Sequence, residues 1–514
     1  MRQIESQADL LGQRYFPKAD EAAPLARVVS AEFQGDDTDV PIVREALIEA
    51  IAKVADVTDV AGDVHDTRLS LAAGARIQLI TSVPAQPEAH PTGTITVTAV
   101  LHDTAGLPPD QVTKLLAAAR RVPFTPTEMA ELRRQMPLTA ELPLFLPPDC
   151  LSGVAPVLTV HHMTDFLMLV EAVRAMGVPP EAITVIDKQY CYRHTDRVDA
   201  HLTRQEIAIW PWTKTAQALD AHTRRAATLG RHGLLIDDGG YTLPVLLTHR
   251  PDLLPYFGGL VEQTISGITR LESWPELPLP IFSVAESRLK ATIESYGIAD
   301  AAIRNVLQLL PQEKLEGQPA LVIGYGRIGE QIAAVLTSRR MRVAVYDQQI
   351  VRLIAAHERG YHTARCLSTL LRQHKPVLVV GSTGRTSLRG EHAAAISRDC
   401  YLVSTTSRDR EFAIAELTDE ATRVIDEGVV GTQLRLRSGA NVTLVGGGLP
   451  INFHFAESLP NSYADLILAS LLVGAATLAT PEHGFAPGHN VAATDRALEG
   501  CGLLERYYDR FGPR

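Results

Sequence analysis

The chain has 514 residues, 46% of them hydrophobic and 21% charged, with a net charge of -10. At roughly 100–200 residues per domain there is room for about three domains with large cores. The acidic balance, with a pI of about 5.9, excludes a general nucleic-acid or anionic-membrane binder, because no basic excess exists to neutralise phosphates.

Residues 1–145 read as a separate α+β unit. The periodicity predicts a helix over Val43–Val54, strands over Arg76–Thr81 and Thr94–Leu101, a Pro-rich turn over Pro84–Gly93 and a helix over Pro109–Arg120. Pro137–Cys150 contains Pro137, Pro143, Pro147 and Pro148 and reads as a connector. A helix is expected over Thr164–Met176, then a strand Ile183–Ile186, a helix over 197–205 and a strand Ile207–Trp210. Leu234–Ile236 is a strand running into Asp237-Asp238-Gly239-Gly240. A long helical stretch, Ser283–Leu310, leads to a second alternating series with strands Ala320–Ile323, Val343–Val345, Val377–Val380 and Tyr401–Ser404. Helix returns over Asn461–Thr480. Strands alternating with helices imply parallel sheets.

Three domains are therefore expected: 1–145; a substrate domain from 150–298 and 460–500; and a dinucleotide-binding domain over 299–459. The apolar run Leu466–Thr480, about 15 residues, is too short to span a bilayer and reads as a buried helix. Cys150, Cys191, Cys366, Cys400 and Cys501 are scattered, which suggests a reducing compartment. Met1–Leu10 is polar and mixed in charge, unlike a signal peptide. A cytoplasmic protein without membrane or nucleic-acid partners is expected.

The strongest local pattern is Leu321-Val322-Ile323-Gly324-Tyr325-Gly326-Arg327-Ile328-Gly329. A strand enters, glycines turn, and a helix (Glu330–Ser338) leaves. Gly324 permits the tight turn, Gly326 lets a pyrophosphate approach the backbone, and Gly329 allows close helix–strand packing. The helix N-terminus offers free N–H groups and partial positive charge. Asp347 follows the next strand; its carboxylate suits both ribose hydroxyls of NAD and would repel a 2′-phosphate. Arg339, Arg340, Arg342 and Arg352 leave NADP open, and Asp347 argues against it. A Rossmann-like fold without cofactor is the plainer reading of the same pattern.

Other groups are more ambiguous. Asp237 and Asp238 at a strand end suit hydroxyl or cation binding, or simply cap a turn. His161 and His162 precede a helix, and no third ligand at suitable spacing supports a metal site. Lys290 and Glu294, four apart, form a surface ion pair or a proton-transfer pair.

Taken together, several segments resemble the S-adenosylhomocysteine hydrolase family. Val160-His161-His162-Met163-Thr164 resembles its Leu-His-Met-Thr, and Ile207–Trp212 its strand ending in Ala-Trp. Leu235–Gly240 resembles its Leu-Asp-Asp-Gly-Gly, and Val261–Ile268 its Ser-Glu-Glu-Thr-Thr-Thr-Gly-Val. Gly324-Tyr325-Gly326, Ser382-Thr383-Gly384, Leu434–Gly439 and Asn452 complete a collinear set from about 150 to 480. The resemblance implies two Rossmann-like parallel-sheet domains, for substrate and NAD, beside the N-terminal α+β domain. It implies a bound NAD that oxidises a ribose hydroxyl so that a thioether is eliminated and water added. His162 and Asp238 would lie at the reacting end. Thr264, Ser266, Gly324, Asp347, Thr383 and Asn452 would face NAD, with Gly326, Arg327, Ile328, Gly329, Arg352, Ser382 and Gly384 completing that set. A homo-oligomer, dimer or tetramer, is also implied.

Departures concentrate on the substrate side. Gln263 stands where the family has a Glu that contacts substrate hydroxyls, and Ile265 replaces a Thr. The family's Lys-x-x-x-Asp-Asn is echoed by Lys290, Glu294 and Ser295. Ser404-Thr405-Thr406-Ser407 replaces Asn-Ile-Gly-His, and Phe453-His454-Phe455-Ala456-Glu457 replaces a Gly-His-Pro gate. Neutral Gln cannot accept two hydroxyls as a carboxylate does. The expectation is a divergent NAD-dependent enzyme acting on a hydroxyl of a nucleoside or other small polar metabolite. A true S-adenosylhomocysteine hydrolase and a non-catalytic NAD-bound scaffold are the alternatives.

Overall fold

The structure, a computed structural model, describes residues 27–83, 93–104, 106–190, 192–407, 410–454 and 461–512. The turn expected at Pro84–Gly93 therefore falls almost wholly outside the described residues, as do Phe455-Ala456-Glu457. The chain packs into two compact units. One comprises residues up to Ala140 with His162–Met168 and His194–Ile209; the other comprises Glu141–His161, Leu169–Arg193 and Trp210–Arg514.

In the first unit five strands, β1 (Val28–Gly35), β2 (Val57–Gly62), β3 (Asp66–Leu71), β4 (Arg76–Ser82) and β5 (Gly93–Asp103), form an antiparallel sheet in the order β1-β5-β4-β3-β2. The alternation in β5 turns Ile95, Val97, Ala99 and Leu101 to one buried face. Helices Val40–Ala52 and Pro109–Arg120 contribute Val43, Leu47, Val112 and Leu115 to the same core. Both have proline in the first turn, where its missing N–H is no loss. A further helix, Pro126–Gln135, begins with a reciprocal cap between Thr125 and Glu128. The expected connector Pro137–Cys150 is partly helical instead. Pro137–Glu141 is a short helix and Leu142–Leu144 a single tight turn, because Pro137 is tolerated at a first helical position.

Arg197 organises this unit. Its Nε donates to Val122 O (2.9 Å), Nη2 to Pro123 O (3.1 Å) and Nη1 to Glu128 Oε1 (3.0 Å). The guanidinium lies 4.2 Å from the Phe124 ring centroid. Glu128 also accepts from Gln34 N (2.8 Å) and Thr125 N (3.0 Å).

The second unit holds two sheets. Strands β6 (Val154–Thr159), β7 (Thr184–Asp187), β8 (Ala208–Pro211), β9 (His232–Asp237), β10 (Phe257–Glu262) and β11 (Pro280–Ser283) lie in the order β11-β10-β9-β6-β7-β8, extended past β11 by Gly488–His489. The pairings β6–β7, β6–β9, β9–β10 and β10–β11 are parallel. Counted within the sheet this is the doubly wound order 3-2-1-4-5-6, with its reversal between β6 and β9.

The other sheet contains β12 (Pro319–Ile323), β13 (Arg342–Tyr346), β14 (His362–Thr363), β15 (Leu378–Gly381), β16 (Cys400–Ser404), β17 (Ala421–Asp426), β18 (Gly431–Leu436) and β19 (Asn441–Val445), ordered β14-β13-β12-β15-β16-β19-β18-β17. From β14 to β19 the pairings are parallel, with the reversal between β12 and β15; β17 to β19 add an antiparallel meander. The long helical stretch starts later than expected, at Arg288, because Pro280–Ser283 is a strand and Ser287 Oγ caps Lys290 N.

Helix Asn461–Ala479 is longer than the apolar run suggested. By length and composition it could cross a membrane, yet 78% of that stretch is buried inside the protein. It packs against β10, and a Cβ at Gly474 would come within 2.8 Å of the Phe282 ring and 2.9 Å of Val261.

Arg197→Met leaves the Glu128 carboxylate, whose side chain is 9% exposed, without its cation. A loss of about 3 kcal/mol is expected, read as a lower denaturant midpoint of the full chain.

Candidate functional site

Open parallel sheets bind ligands outside the carboxyl ends of their strands, where the strand order reverses. In the first doubly wound sheet that point lies between β6 and β9. The segment after β6 brings His161, and the segment after β9 brings Asp238. The backbone is tied across the gap by Asp238 N donating to Thr159 O (2.7 Å).

The two adjacent aspartates divide their work. Asp237 Oδ2 accepts from Tyr241 N (2.8 Å), Thr242 N (2.7 Å) and Thr242 Oγ1 (2.6 Å), so it caps the turn into helix Leu243–His249. Asp238 faces the other way. Its Oδ1 lies 2.9 Å from Lys188 Nζ and its Oδ2 3.2 Å from His161 Nε2. The His161 contact is close but not aligned as a hydrogen bond, so Oδ2 has no hydrogen-bond donor among the described residues. Burial pushes the Asp238 carboxyl up, but the Lys188 ammonium, with Lys290, outweighs it and holds it below the ordinary carboxylate value.

Around this pair stand aromatic rings. His161 stacks on Phe453 at 3.8 Å between centroids, and its Nδ1 is hydrogen bonded to the Tyr192 hydroxyl. Burial, with the nearby phenol and carboxylates, raises Tyr192 well above 10.0, so its hydroxyl stays protonated. Lys188 also lies 3.2 Å from His161 Nε2.

The segment after β10 supplies the next wall. Glu262 is fully buried; its Oε1 accepts from Gly239 N (3.1 Å), Thr264 N (2.9 Å) and Thr264 Oγ1 (3.0 Å). Burial raises its carboxyl well above the ordinary value, and its register neighbour Asp237 adds to the rise. Only glycine fits at 267, where a Cβ would lie 2.1 Å from the Glu262 carboxyl carbon. Gln263 comes next: its carbonyl accepts from Lys290 Nζ, and its buried Oε1 has no partner among the described residues. Lys290 and Glu294 are both 8% exposed and lie 3.1 Å apart. They form a buried pair rather than a surface one. Burial raises the Glu294 carboxyl despite Lys290.

His162 does not join this group. It is fully buried in the first unit, with Nδ1 3.1 Å from Asp199 Oδ1 and its ring stacked on Phe166 at 5.4 Å. The histidine at Asp238 is its neighbour, His161. Lys188 and Tyr192 were given no role from sequence; a charged residue at the carboxyl end of β7 was the available signal.

In the second sheet the reversal between β12 and β15 brings together Gly324–Gly329 and Ser382–Gly384. Gly324 has φ +95°, and a Cβ there would meet Thr383 Cγ2 at 2.9 Å. Ser382 Oγ donates to Gly324 O (3.0 Å). A Cβ on Gly326 would meet only the tip of Arg352, at 3.5 Å, so this part of the turn is open to a ligand. Arg327 is exposed at the start of helix Arg327–Ser338, and Ile328 packs on the core. Asp347 Oδ2 accepts from Tyr325 N (2.7 Å) and Oδ1 from Gln349 N (2.7 Å), with Arg352 Nη1 3.9 Å from Oδ2. Thr264 caps helix Ile265–Leu271, and Ser266 lies half-buried in its first turn. Thr383 is held by the buried Glu411 (N to Oε2, 3.0 Å; Oγ1 to Oε1, 2.9 Å), and Gly384 N donates to Thr406 Oγ1 (3.1 Å). Asn452 is 4% exposed, yet its Oδ1 has no partner among the described residues. An open glycine cradle, a carboxylate at the second strand end and an orphaned buried amide oxygen fit a dinucleotide.

No protein-family model matches the chain. It is 25% identical over 369 residues to an adenosylhomocysteinase from Gloeobacter violaceus, covering 69% of this chain and 83% of that one. It is 22% identical over 343 residues to an S-inosyl-L-homocysteine hydrolase from Methanopyrus kandleri, covering 66% and 79%. An uncharacterized Mycobacterium tuberculosis protein is 26% identical over 349 residues, 64% of each chain. Over about two thirds of its length the chain is similar, at 22–25% identity, to adenosylhomocysteinases and an S-inosyl-L-homocysteine hydrolase. Among solved structures, a dipicolinate synthase from Bacillus halodurans aligns with a TM-score of 0.40 and 12% identity, over 64% of this chain and 100% of that one. Named relatives within the family are enzymes.

Two outcomes follow from this geometry. A Cβ at Gly329 would stand 1.8 Å from Gly324 O, a backbone atom that cannot yield. Gly329→Ala is expected to cost about 1–3 kcal/mol in a thermal melt and to weaken dinucleotide binding about tenfold or more. For Glu262, a raised folded value means its contribution is complete below the unfolded value of 4.5 and is lost as pH rises through the folded one. Glu262→Gln keeps an oxygen for Gly239 N and Thr264 N. It should match the parent midpoint at pH about 4 and exceed it at pH about 8 in denaturant titrations.

Proposed function

We propose that this chain is an NAD-dependent enzyme that oxidises a hydroxyl group of a nucleoside or similar small polar metabolite, transiently within a hydrolytic cycle or for net turnover. The observation that supports this most is the open oxygen of Asp238. A buried, ionised carboxylate oxygen without a donor is costly, by about 1–3 kcal/mol. A substrate hydroxyl in the crevice would remove that cost, and Gln263 Oε1 would accept from a second donor.

Gly324–Gly329, Asp347, Ser382–Gly384 and Asn452 would hold NAD. When bound, NAD supplies a hydride acceptor. The remaining chemistry falls to the chain. Asp238 orients the hydroxyl. Lys290, anchored by Gln263 O and Glu294, holds a proton at Nζ beside the crevice. Glu294, raised by burial, can share it. The ring of Phe453 covers one face of His161.

Homocysteine-conjugate hydrolysis, the reaction in the names of the relatives, is the second form of this reading. It is favoured by the retained Lys290–Glu294 spacing. The small-molecule content of the purified protein separates the possibilities. Released NAD or NADH, identified by absorbance and mass, is expected, together with NADH formation on adding adenosine or inosine. Products from S-adenosylhomocysteine or S-inosylhomocysteine would select the hydrolytic form. Lys290→Met should lower the rate about 10²–10⁴-fold with cofactor content unchanged. A site that stays empty at saturating NAD, or a Lys290→Met variant at full rate, would overturn the proposal.

A further inference from the structure

Lys188 has no part in the reading above, yet its side chain is only 2% exposed. A buried ammonium persists only where it is paired. Here its Nζ lies 2.9 Å from Asp238 Oδ1 and 3.2 Å from His161 Nε2. An ammonium has donors and no acceptor, so the His161 nitrogen that receives it must present a lone pair. The ring proton then resides on Nδ1, where the Tyr192 hydroxyl oxygen accepts it. Asp238 Oδ2 lies 3.2 Å from that same Nε2, which in this tautomer has no proton to give.

We propose that Lys188 is a positioning residue: it fixes His161 in the Nδ1–H tautomer and so keeps Asp238 Oδ2 unshared, reserving it for a donor brought by the ligand. The inference deepens the proposed function, because it rests on this crevice being the substrate's place. It also narrows the ligand class. A hydroxyl fills the reserved acceptor; a carbonyl at the same place cannot, and faces a carboxylate with no proton between them. The site therefore selects the alcohol over the ketone. Without Lys188, Nε2 is released to carry a proton, and a turn of the ring that brings this N–H into line with Oδ2 would fill the acceptor from within.

The test needs no substrate, so the failure of the nucleoside reading would leave it standing. Nitrogen-15 NMR of full-length protein labelled at histidine reports which ring nitrogen carries the proton. His161→Gln identifies the His161 signals by their loss. The expected result at neutral pH is the Nδ1–H pattern in the parent and in Lys188→Arg, and a proton on Nε2 in Lys188→Met. A parent already protonated on Nε2 overturns the proposal whether or not a variant folds. Retention of the Nδ1–H pattern in a folded Lys188→Met protein overturns it equally.

Discussion

A carboxylate taken out of water must meet a cation or lose its charge, and in this protein that demand falls on Asp238. Its side chain is 4% exposed, and Lys188 meets it from the neighbouring crossover. The pair constrains what surrounds it. His161 must turn its Nε2 towards the ammonium; the Tyr192 hydroxyl must meet Nδ1 at the ring edge; Phe453 stacks on the ring face. A single ion pair thus orders residues from the ends of three strands and from a loop after β19. Replacing such a pair with apolar side chains is often no loss in stability. Its presence here sits better with a site than with a scaffold.

Behind that first row of groups lies a second, made of Asp237 and Glu262. They are neighbours in the parallel register of β9 and β10 and both are buried. Neither faces a lysine closely. They are stabilised instead by backbone N–H groups and threonine hydroxyls, and burial raises both carboxyls. The contrast is instructive: identical side-chain chemistry at adjacent positions gives an ionised group at Asp238 and protonation-prone groups at Asp237 and Glu262. The cation decides, not the burial that all three share.

Much of this was legible in the sequence. The strand–glycine–helix turn at Leu321–Gly329 and the helix Pro109–Arg120 carry local rules strong enough to place them. The doubly wound order was legible only as alternation. The N-terminal strands β1 to β3 were not seen; β2 is almost wholly exposed and shows no apolar alternation to read, whereas β3 does alternate but over only six residues. The choice between His161 and His162 was beyond local sequence. Adjacent residues leave a strand end in opposite directions, and only the partner, Asp238 or Asp199, tells which one enters the crevice. Lys188 was invisible for a related reason: its meaning depends on a carboxylate fifty residues later, with no spacing rule between them. Lys290 and Glu294 were read at the right distance, but their burial was not foreseeable from four-residue spacing alone.

The chain leaves the first doubly wound sheet after β11, builds the whole second sheet, and only then returns to complete what it left. Helix Asn461–Ala479 covers β10, and Ser283 N is bound by Thr494 Oγ1, 211 residues further on. During synthesis the strands that carry Asp238 and Glu262 therefore wait, one face bare, until the segment around Thr494 has emerged. Long-range closure of this kind slows folding and exposes apolar strands meanwhile. Loss of that late segment should consequently be felt most in the sheet that lies earliest in the second unit, rather than in the glycine-turn sheet nearer the cut.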